Sequence, residues 1–513
     1  MHLDPPDDAT LAQIAADTEL GITPADLPVY AAAAEGLLAS WNTVAGLYAD
    51  TAPTPPERSW TKPAAAENPF GGWYVQTEIQ ETTTGPLAGV RVAIKDNVSV
   101  AGVPMMNGSH TVDGFVPSED ATVVRRLLSA GATIAGKSVC EDLCFSGGSH
   151  TTKSGVVRNP WDETRSAGGS SSGSGALVGG GEVDMALGGD QGGSIRIPAA
   201  YCGAVGHKPT HGLVPYTGAF PIEATIDHLG PITRSVRDAA LMLSVIAGVD
   251  GGDPRQPTTI DIPDYVGALD LSVDGLRIGY LREGFGHANS EPEVDDAVRR
   301  AADAFRDAGM AVSEVSVPWH LHGPAIWDVI SVEGATWQMV DGNAYGLNWK
   351  GHYDPELIAY YGKKWRTDPS RFSETVKLVT LAGRYALANG YGSHYAMARN
   401  LENRLAAAYD AALDDHDVLV MPTLPLRATP LPAADAPVAD VLGRALEMLP
   451  NTTPFDVTGH PACSVPVGLV DALPVGLMIV GKRFDDTTVL RVAHAIEKQI
   501  GTLPVPTAAR SHA

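Results

Sequence analysis

The sequence predicts an α/β protein with a mixed, mostly parallel central sheet that is covered by helices on both faces. Four short apolar runs have the length and composition of buried strands: 90–94, 132–135, 183–187 and 276–280. Three helical patterns lie between or after them: 120–130, 237–247 and 293–309. This alternation of strand and helix is typical of such a sheet, because the connecting helices pack against its faces.

The chain of 513 residues exceeds one compact core, so we expect two or three structural units. Leu37, Trp41, Val44 and Tyr48 recur at helical spacing before a proline-rich stretch, and their apolar face must pack on the main body or on a second copy of the chain. Aromatic residues then become frequent and strands scarce after Trp319. The predicted units are an N-terminal helical segment at 1–70, an α/β core at 71–318, a mainly helical insertion at 319–414 and a return to the core at 415–513.

Composition excludes several classes of function. Lys and Arg number 36 and Asp and Glu 60, a net charge of −24 that argues against nucleic acid or an anionic membrane as a main partner. The first residues lack the basic and apolar regions of a signal peptide, and no run of about 18 apolar residues could span a membrane, so we predict a cytoplasmic protein. No C-x-x-C pair is present, so neither a zinc site nor a disulfide framework is expected from the four cysteines, Cys140, Cys144, Cys202 and Cys463.

Two glycine loops that carry serines flank the apolar run at 183–187. The first, 168–175, contains Ser170, and the second, 188–194, ends at Ser194. Glycine allows close backbone approach, and a series of unpaired N–H groups at such a turn can hold a developing oxyanion. A serine attacks a carbonyl only when a base removes its proton, and lysine replaces histidine as that base in some hydrolases.

Lys95 follows the apolar run at 90–94 and is the candidate base. Lysine accepts a proton only when it is uncharged, and burial behind an apolar strand disfavours the charged form. A hydroxyl both donates and accepts, so an intervening serine could bridge the amine and the nucleophile.

These segments together resemble the amidase signature family, and especially the bacterial aliphatic and aryl amidases that accompany nitrile hydratases in actinobacteria. The resemblance covers roughly residues 70 to 500, and its motifs lie at 93–97, 168–175, 189–199, 202–210, 227–231, 318–320 and 453–461. It implies the amidase signature fold and hydrolysis of the C–N bond of small carboxylic amides to acid and ammonia or amine. Water is the only implied cosubstrate, with no metal and no organic cofactor.

The resemblance also implies a role for each site residue. Ser194 would be the nucleophile of a Ser-Ser-Lys triad, Ser170 the relay after a cis peptide bond, and Lys95 the general base and acid. Backbone N–H groups of Gln191, Gly192, Gly193 and Ser194 would form the oxyanion hole. The resemblance further implies an acyl pocket lined by Cys144, Phe145, Gln191 and Trp327. It also implies a homodimer that forms through the N-terminal helices.

Several alternatives stay open at this stage. The run at 169–173 matches the G-x-S-x-G turn of α/β-hydrolases, which would make Ser171 the nucleophile, although the preceding residues are loop-like. Anilides or carbamates could be cleaved by the same triad. The A subunit of glutamyl-tRNA amidotransferase shares the triad, and a non-catalytic scaffold could retain the fold. Arg196, Asp227 and His228 are interpreted as structural, since buried charges need partners near such loops.

Overall fold

The computed structural model describes residues 3–344, 350–504 and 506. It divides into two compact units, Met1–Pro55 and Pro56–Ala513. The boundary therefore falls before the predicted position at residue 70, because Trp60 and Thr61 pair with the first long strand of the sheet. Two residues of the aromatic-rich region, Tyr345 and Trp349, lie outside the described residues.

The described residues of the first unit, from Leu3 onward, form two helices, α1 (Asp8–Asp17) and α2 (Leu27–Ala49). Asp7 caps α1, since its side chain accepts a hydrogen bond from the Thr10 amide at 2.8 Å. Neither helix contains a buried residue. The apolar positions on α2 are therefore exposed, among them Leu37, Trp41 and Val44.

The described part of the second unit contains one sheet of twelve strands. The strands are β1 (Trp60–Thr61), β2 (Trp73–Ile79), β3 (Arg91–Lys95), β4 (Thr133–Ser138), β5 (Met185–Asp190), β6 (Val205–Lys208), β7 (His228–Thr233), β8 (Arg277–Leu281), β9 (Ala311–Val315), β10 (Val418–Pro422), β11 (Ala462–Val470) and β12 (Leu473–Val480). Their order across the sheet is β1-β2-β4-β3-β5-β7-β6-β11-β12-β10-β8-β9.

The mixed sheet is confirmed, but the expectation that its pairing is mostly parallel is wrong. Among the described strands, only the pairs β3–β4, β3–β5, β8–β10 and β8–β9 are parallel, and the remaining seven neighbouring pairs are antiparallel. The sequence pattern does not predict β6, β7 and β11, each of which contributes only antiparallel pairs among the described strands. Their glycines, histidines and prolines obscure the β-branched pattern on which strand prediction depends.

The helices of the second unit lie on both faces of the sheet. They are α3 (Thr122–Ser129), α4 (Ser172–Gly179), α5 (Arg196–Cys202), α6 (Val236–Ile246), α7 (Tyr265–Ala268), α8 (Pro292–Asp307), α9 (Gly323–Ala335), α10 (Pro355–Thr367), α11 (Glu374–Gly390), α12 (Ser393–Asp415), α13 (Val438–Leu446), α14 (Thr453–Thr458) and α15 (Asp486–Ile500). Val92 and Ile94 of β3 join a cluster that contains side chains of α3 and α6, whereas Ala93 between them joins a cluster with α4. Alternate residues of a strand point to opposite faces, so the helical cover on both faces is confirmed.

Helices α9 to α12 follow β9, and the described residues between 319 and 414 contain no strand. A second hydrophobic cluster packs Leu143 and Phe145 against Met339, Tyr361 and Val379 of this region. This cluster holds the segment at 140–145 in place beside the glycine loops.

Candidate active site

Lys95 is the last residue of β3, which lies between β4 and β5 in the interior of the sheet. The side chain is completely buried. Its Nζ donates hydrogen bonds to the Ser170 hydroxyl at 2.8 Å and to the Gly189 carbonyl at 3.0 Å. The buried strand therefore delivers this amine directly to the first serine loop.

Ser170 lies two residues before α4 and is completely buried. The Gly169–Ser170 peptide bond is cis, as the resemblance implies. A Cβ atom at position 169 would lie 2.0 Å from the Gly148 carbonyl oxygen, so only glycine fits there. Because the Ser170 hydroxyl accepts from Lys95, its own proton is available for donation to a second group.

Ser194 lies in the turn between β5 and α5 and is 6% exposed. It lines a cavity together with all four residues of the predicted acyl pocket, Cys144, Phe145, Gln191 and Trp327. The Ser171 amide donates to the Ser194 carbonyl at 3.3 Å, which joins the two serine loops. Within the described residues, no hydrogen bond joins the hydroxyls of Ser170 and Ser194, so this link of the predicted triad is open in this structure.

The turn at 191–194 presents three of the four predicted oxyanion-hole amides without an internal acceptor. The amides of Gln191, Gly192 and Ser194 donate no hydrogen bond within the described part of the chain. The Gly193 amide instead donates to Asp190 Oδ1 at 2.5 Å. The carboxylate directly before the turn thus already binds this N–H, and Gly193 differs from the other three predicted oxyanion donors in having an internal acceptor.

A sequence model of the family described as Amidase matches residues 74–490 of this chain. The chain belongs to the amidase signature family. This membership accounts for the mixed sheet and makes the protein an amidase, an enzyme that hydrolyses amide C–N bonds.

Relatives of this amidase include another amidase and a subunit of an amidotransferase. An enantioselective amidase of Rhodococcus rhodochrous is 56% identical over 513 residues, which cover 99% of this chain and 98% of the relative. The A subunit of the glutamyl-tRNA(Gln) amidotransferase of Methanosarcina acetivorans is 39% identical, and the match covers 81% of this chain and 85% of the relative.

Solved structures of similar proteins agree with the fold. The native peptide amidase of Stenotrophomonas maltophilia has a TM-score of 0.68 and 30% identity, covering 82% of this amidase and 85% of that chain. The 6-aminohexanoate cyclic dimer hydrolase, in complex with its substrate, has a TM-score of 0.72 and 26% identity, covering 83% and 88%.

The turn of the amidase that carries Ser194 is anchored by a buried charged cluster. Arg196 pairs with Asp190 at 3.0 Å and with Asp456 at 2.7 Å, and all three side chains are completely buried. Burial opposes ionisation of Asp190, but Arg196 holds the pKa of this carboxyl well below its usual range. Burial and the neighbouring Asp190 carboxylate hold the pKa of Asp456 well above its usual range, so Asp456 is the neutral member of the cluster.

The three residues interpreted as structural in the sequence are all buried beside this turn. Arg196 belongs to the charged cluster, while the Asp227 carboxylate accepts a hydrogen bond from the Ile222 amide at 3.2 Å. The His228 ring contacts the Ile226 carbonyl through Nδ1 at 2.8 Å and Lys208 Nζ through Nε2 at 3.3 Å. Burial lowers the pKa of His228, so the ring is neutral.

The cavity also has lining residues that the sequence analysis missed. Four of them are apolar and come from two separate segments: Ile222, Ile226, Leu446 and Leu449. No local motif marks these positions, since they meet only in the folded chain. The Phe145 and Trp327 rings pack with their centroids 6.5 Å apart and give the cavity an aromatic wall.

Cys144 lines the same cavity and is also hydrogen-bonded to Asn107. Its Sγ donates to Asn107 Oδ1 at 3.3 Å, and Cys140 donates to the same oxygen at 3.4 Å. Burial opposes ionisation, but the Cys140 thiol and the Lys95 amine outweigh it and lower the pKa of Cys144. The four cysteines are buried and free.

The α/β-hydrolase alternative makes Ser171 the nucleophile. In the structure, the Ser171 hydroxyl is hydrogen-bonded to the backbone of β5. Its hydroxyl donates to the Gly189 carbonyl at 3.1 Å and accepts from the Gly189 amide at 3.2 Å. The side chain is completely buried, and no strand directly precedes it. These contacts give Ser171 a structural role between the two glycine loops.

Neither a metal centre nor a membrane span is found in the described ranges 3–344, 350–504 and 506. No group of three or more His, Cys, Asp or Glu side chains there could hold a metal ion. No helix there is both long and apolar enough to cross a bilayer.

Proposed function

We propose that the amidase hydrolyses small aliphatic or aryl carboxylic amides through an acyl-enzyme on Ser194, with Ser170 and Lys95 completing the triad. The observation that carries this proposal is the 2.8 Å hydrogen bond from Lys95 Nζ to the Ser170 hydroxyl, which lies in a fully buried site beside the cavity that Ser194 lines.

The proposed reaction has two halves. Uncharged Lys95 takes the proton of Ser170, Ser170 takes the proton of Ser194, and the Ser194 oxygen attacks the amide carbonyl. The same route then returns a proton to the departing nitrogen as the C–N bond breaks. Water attacks the acyl-enzyme in the second half, with Lys95 again as base. Catalytic hydrogen bonds often tighten only in the substrate complex, so the open Ser170–Ser194 link is compatible with this route.

The lining of the cavity supports an apolar acyl group. Aromatic and aliphatic side chains dominate it, and burial of a group of phenyl size contributes roughly 1.5–3 kcal/mol. We therefore expect kcat/KM for benzamide to exceed that for acetamide by about tenfold or more, since 1.4 kcal/mol is a tenfold factor. Faster turnover of acetamide would contradict the proposed pocket. Anilides and carbamates belong in the same substrate panel.

The test of the activity is release of ammonia from benzamide by the purified chain alone, with Ser194→Ala protein as the control for contaminating enzymes. Turnover without glutamine, tRNA or a partner protein is the expected result, and it separates the hydrolase from a scaffold and from a component of an amidotransferase. Absence of turnover on the whole panel would contradict the proposal. Location in the cytoplasm stays a prediction.

The exposed face of α2 supports a homodimer in which a second copy of the chain covers it. Leu37 and Val44 are each 64% exposed and Trp41 is 55% exposed, on one side of the helix. We expect a dimer in sedimentation velocity and dissociation to monomers in the double variant Trp41→Glu, Val44→Glu. Ala39→Glu adds charge to the other side of α2 and should leave the dimer intact. A wild-type monomer, or a dimer that resists the double substitution, would contradict this assembly.

A further inference from the structure

The three peptide units from Gln191 to Ser194 are each held by a different part of the chain. The Gln191 carbonyl accepts a hydrogen bond from the Trp327 Nε1 atom of α9 at 2.6 Å. The Gly192 carbonyl accepts from the Thr452 hydroxyl at 2.6 Å, and the Gly193 carbonyl accepts from the Ile197 amide at 2.7 Å. The turn is therefore fixed through its carbonyl groups rather than through its side chains.

The planarity of the peptide bond converts these carbonyl contacts into amide directions. In a trans peptide, the carbonyl of one residue and the N–H of the next point to opposite sides of one rigid plane. Trp327, by holding the Gln191 carbonyl, turns the Gly192 N–H the other way. The Ile197 amide does the same for the Ser194 N–H by holding the Gly193 carbonyl.

The middle peptide unit differs because both of its polar groups are occupied. Thr452 holds its carbonyl, and Asp190 holds its N–H. The free amides of Gly192 and Ser194 therefore flank a peptide that is fixed on both edges. A rotation of this middle unit would move both neighbours, so the Thr452 hydroxyl constrains the two free N–H groups at once.

We infer that Trp327 and Thr452 are positioning residues that aim the free N–H groups of Gly192 and Ser194, two of the expected oxyanion donors. This inference rests on the proposed acyl-enzyme function. It gives Trp327 a second role beside its place in the cavity wall, and it assigns a role to Thr452, which no motif in the sequence indicated.

Thr452 is itself held firmly, as a positioning residue must be. It is completely buried, and its hydroxyl also contacts the Leu449 carbonyl at 3.1 Å. Arg196 donates to the Thr452 carbonyl at 3.0 Å, which ties this residue to the charged cluster. A Cβ atom at Gly193 would lie 2.5 Å from the Thr452 hydroxyl oxygen, so the two segments are in close contact.

The neighbouring threonine provides a matched control. Thr453 is also buried, and its hydroxyl contacts the same Leu449 carbonyl at 3.3 Å, but it makes no hydrogen bond to the turn at 191–194. Thr452→Val and Thr453→Val thus remove the same chemical group from adjacent residues, and only the first releases the Gly192 carbonyl. Thr452→Ser keeps the hydroxyl and serves as the rescue variant.

The experiment measures kcat, KM and the affinity for an alkyl boronic acid, which forms a tetrahedral adduct with a catalytic serine. Loss of a complete oxyanion donor costs about 10²- to 10³-fold in kcat, so misaimed donors should cost roughly 10- to 100-fold. We expect Thr452→Val and Trp327→Phe to lower kcat and boronate affinity by similar factors in that range. KM of Thr452→Val should change less than about twofold, and Thr453→Val and Thr452→Ser should remain within about threefold of wild type.

Two outcomes would overturn the inference while leaving the proposed function intact. One is a wild-type enzyme that hydrolyses amides, with Thr452→Val no slower than Thr453→Val. The other is equal loss in Thr452→Ser and Thr452→Val, because the serine variant retains the hydroxyl. If Thr452→Val does not fold, Trp327→Phe decides, and unchanged kcat and boronate affinity there would contradict the inference. Failure of the proposed function is recognised separately, by a wild-type enzyme that releases no ammonia.

Discussion

Replacing Lys95 with methionine should reduce kcat almost as far as replacing Ser194 with alanine, and combining the two should cause little further loss. Residues that act as one catalytic unit show such non-additivity, and each single loss is expected to be roughly 10⁴- to 10⁶-fold. The physical reason is the 2.8 Å contact between Lys95 and Ser170, through which the amine acts on the nucleophile. Single-turnover kinetics of the two single variants and the double variant measure this directly.

Lys137 provides the matched control for removal of a buried lysine. It is completely buried on β4, like Lys95 on β3, but it forms an ion pair with the equally buried Asp96 at 2.8 Å. Within the described residues, Lys95 has no carboxylate at ion-pair distance. Lys137→Met should therefore lower the free energy of unfolding by about 3–5 kcal/mol, because it leaves a buried charge unpaired. Lys95→Met should lower activity with a much smaller change in stability, and the reverse pattern would contradict the assigned roles.

Asp190→Asn should lower the free energy of unfolding by about 3–5 kcal/mol, the cost of breaking a buried ion pair. Asp190 accepts hydrogen bonds from Arg196 and from the amides of Gly193 and Ile195, all of them buried. Asp456→Asn should cost much less, because Asp456 is the neutral partner and an asparagine reproduces its shape and its acceptor for Arg196. Urea unfolding of the two variants compares the carboxyls.

The pH dependence of these two variants should have opposite signs. The lowered pKa of Asp190 stabilises the fold above the unfolded value of about 3.9, and this stabilisation is lost as pH falls toward the folded pKa. The loss of unfolding free energy that Asp190→Asn causes should therefore become smaller at acid pH. Because the pKa of Asp456 is raised in the folded state, this residue lowers the free energy of unfolding as pH rises above about 3.9. The stability of Asp456→Asn relative to wild type should therefore increase with rising pH. Parallel pH profiles would contradict this assignment of charge.

The sequence predicted the elements that carry the chemistry more closely than it predicted the sheet around them. The run ending at Lys95 has a β-branched residue at every second position, and the amphipathic helix after Glu293 has a clear apolar face, so the sequence predicts both within about three residues. Strands β6 and β7 carry glycine, histidine and proline, and only their pairing partners make them strands. Tertiary context decides such segments, which is why the direction of most strand pairs was mispredicted.

The site shows the same division between local and long-range information. Lys95, Ser170 and Ser194 lie in motifs that are read along the chain, and the four predicted pocket residues meet in one cavity. The hydrogen bond from the Gly193 amide to Asp190 cannot be predicted from the spacing of residues, because every residue of a glycine turn offers the same N–H group. Thr452 lies 260 residues from the carbonyl that it holds, so only the folded chain brings the two together.

The central claim is that Ser194, and not Ser171, is the nucleophile reached from Lys95 through Ser170. The most direct test is labelling of the native enzyme with a serine-directed phosphonyl fluoride, followed by location of the adduct by tandem mass spectrometry. The account predicts one adduct on Ser194, formed with loss of activity and slowed strongly in Lys95→Met. An adduct on Ser171, or full turnover by the Ser194→Ala enzyme, would contradict it.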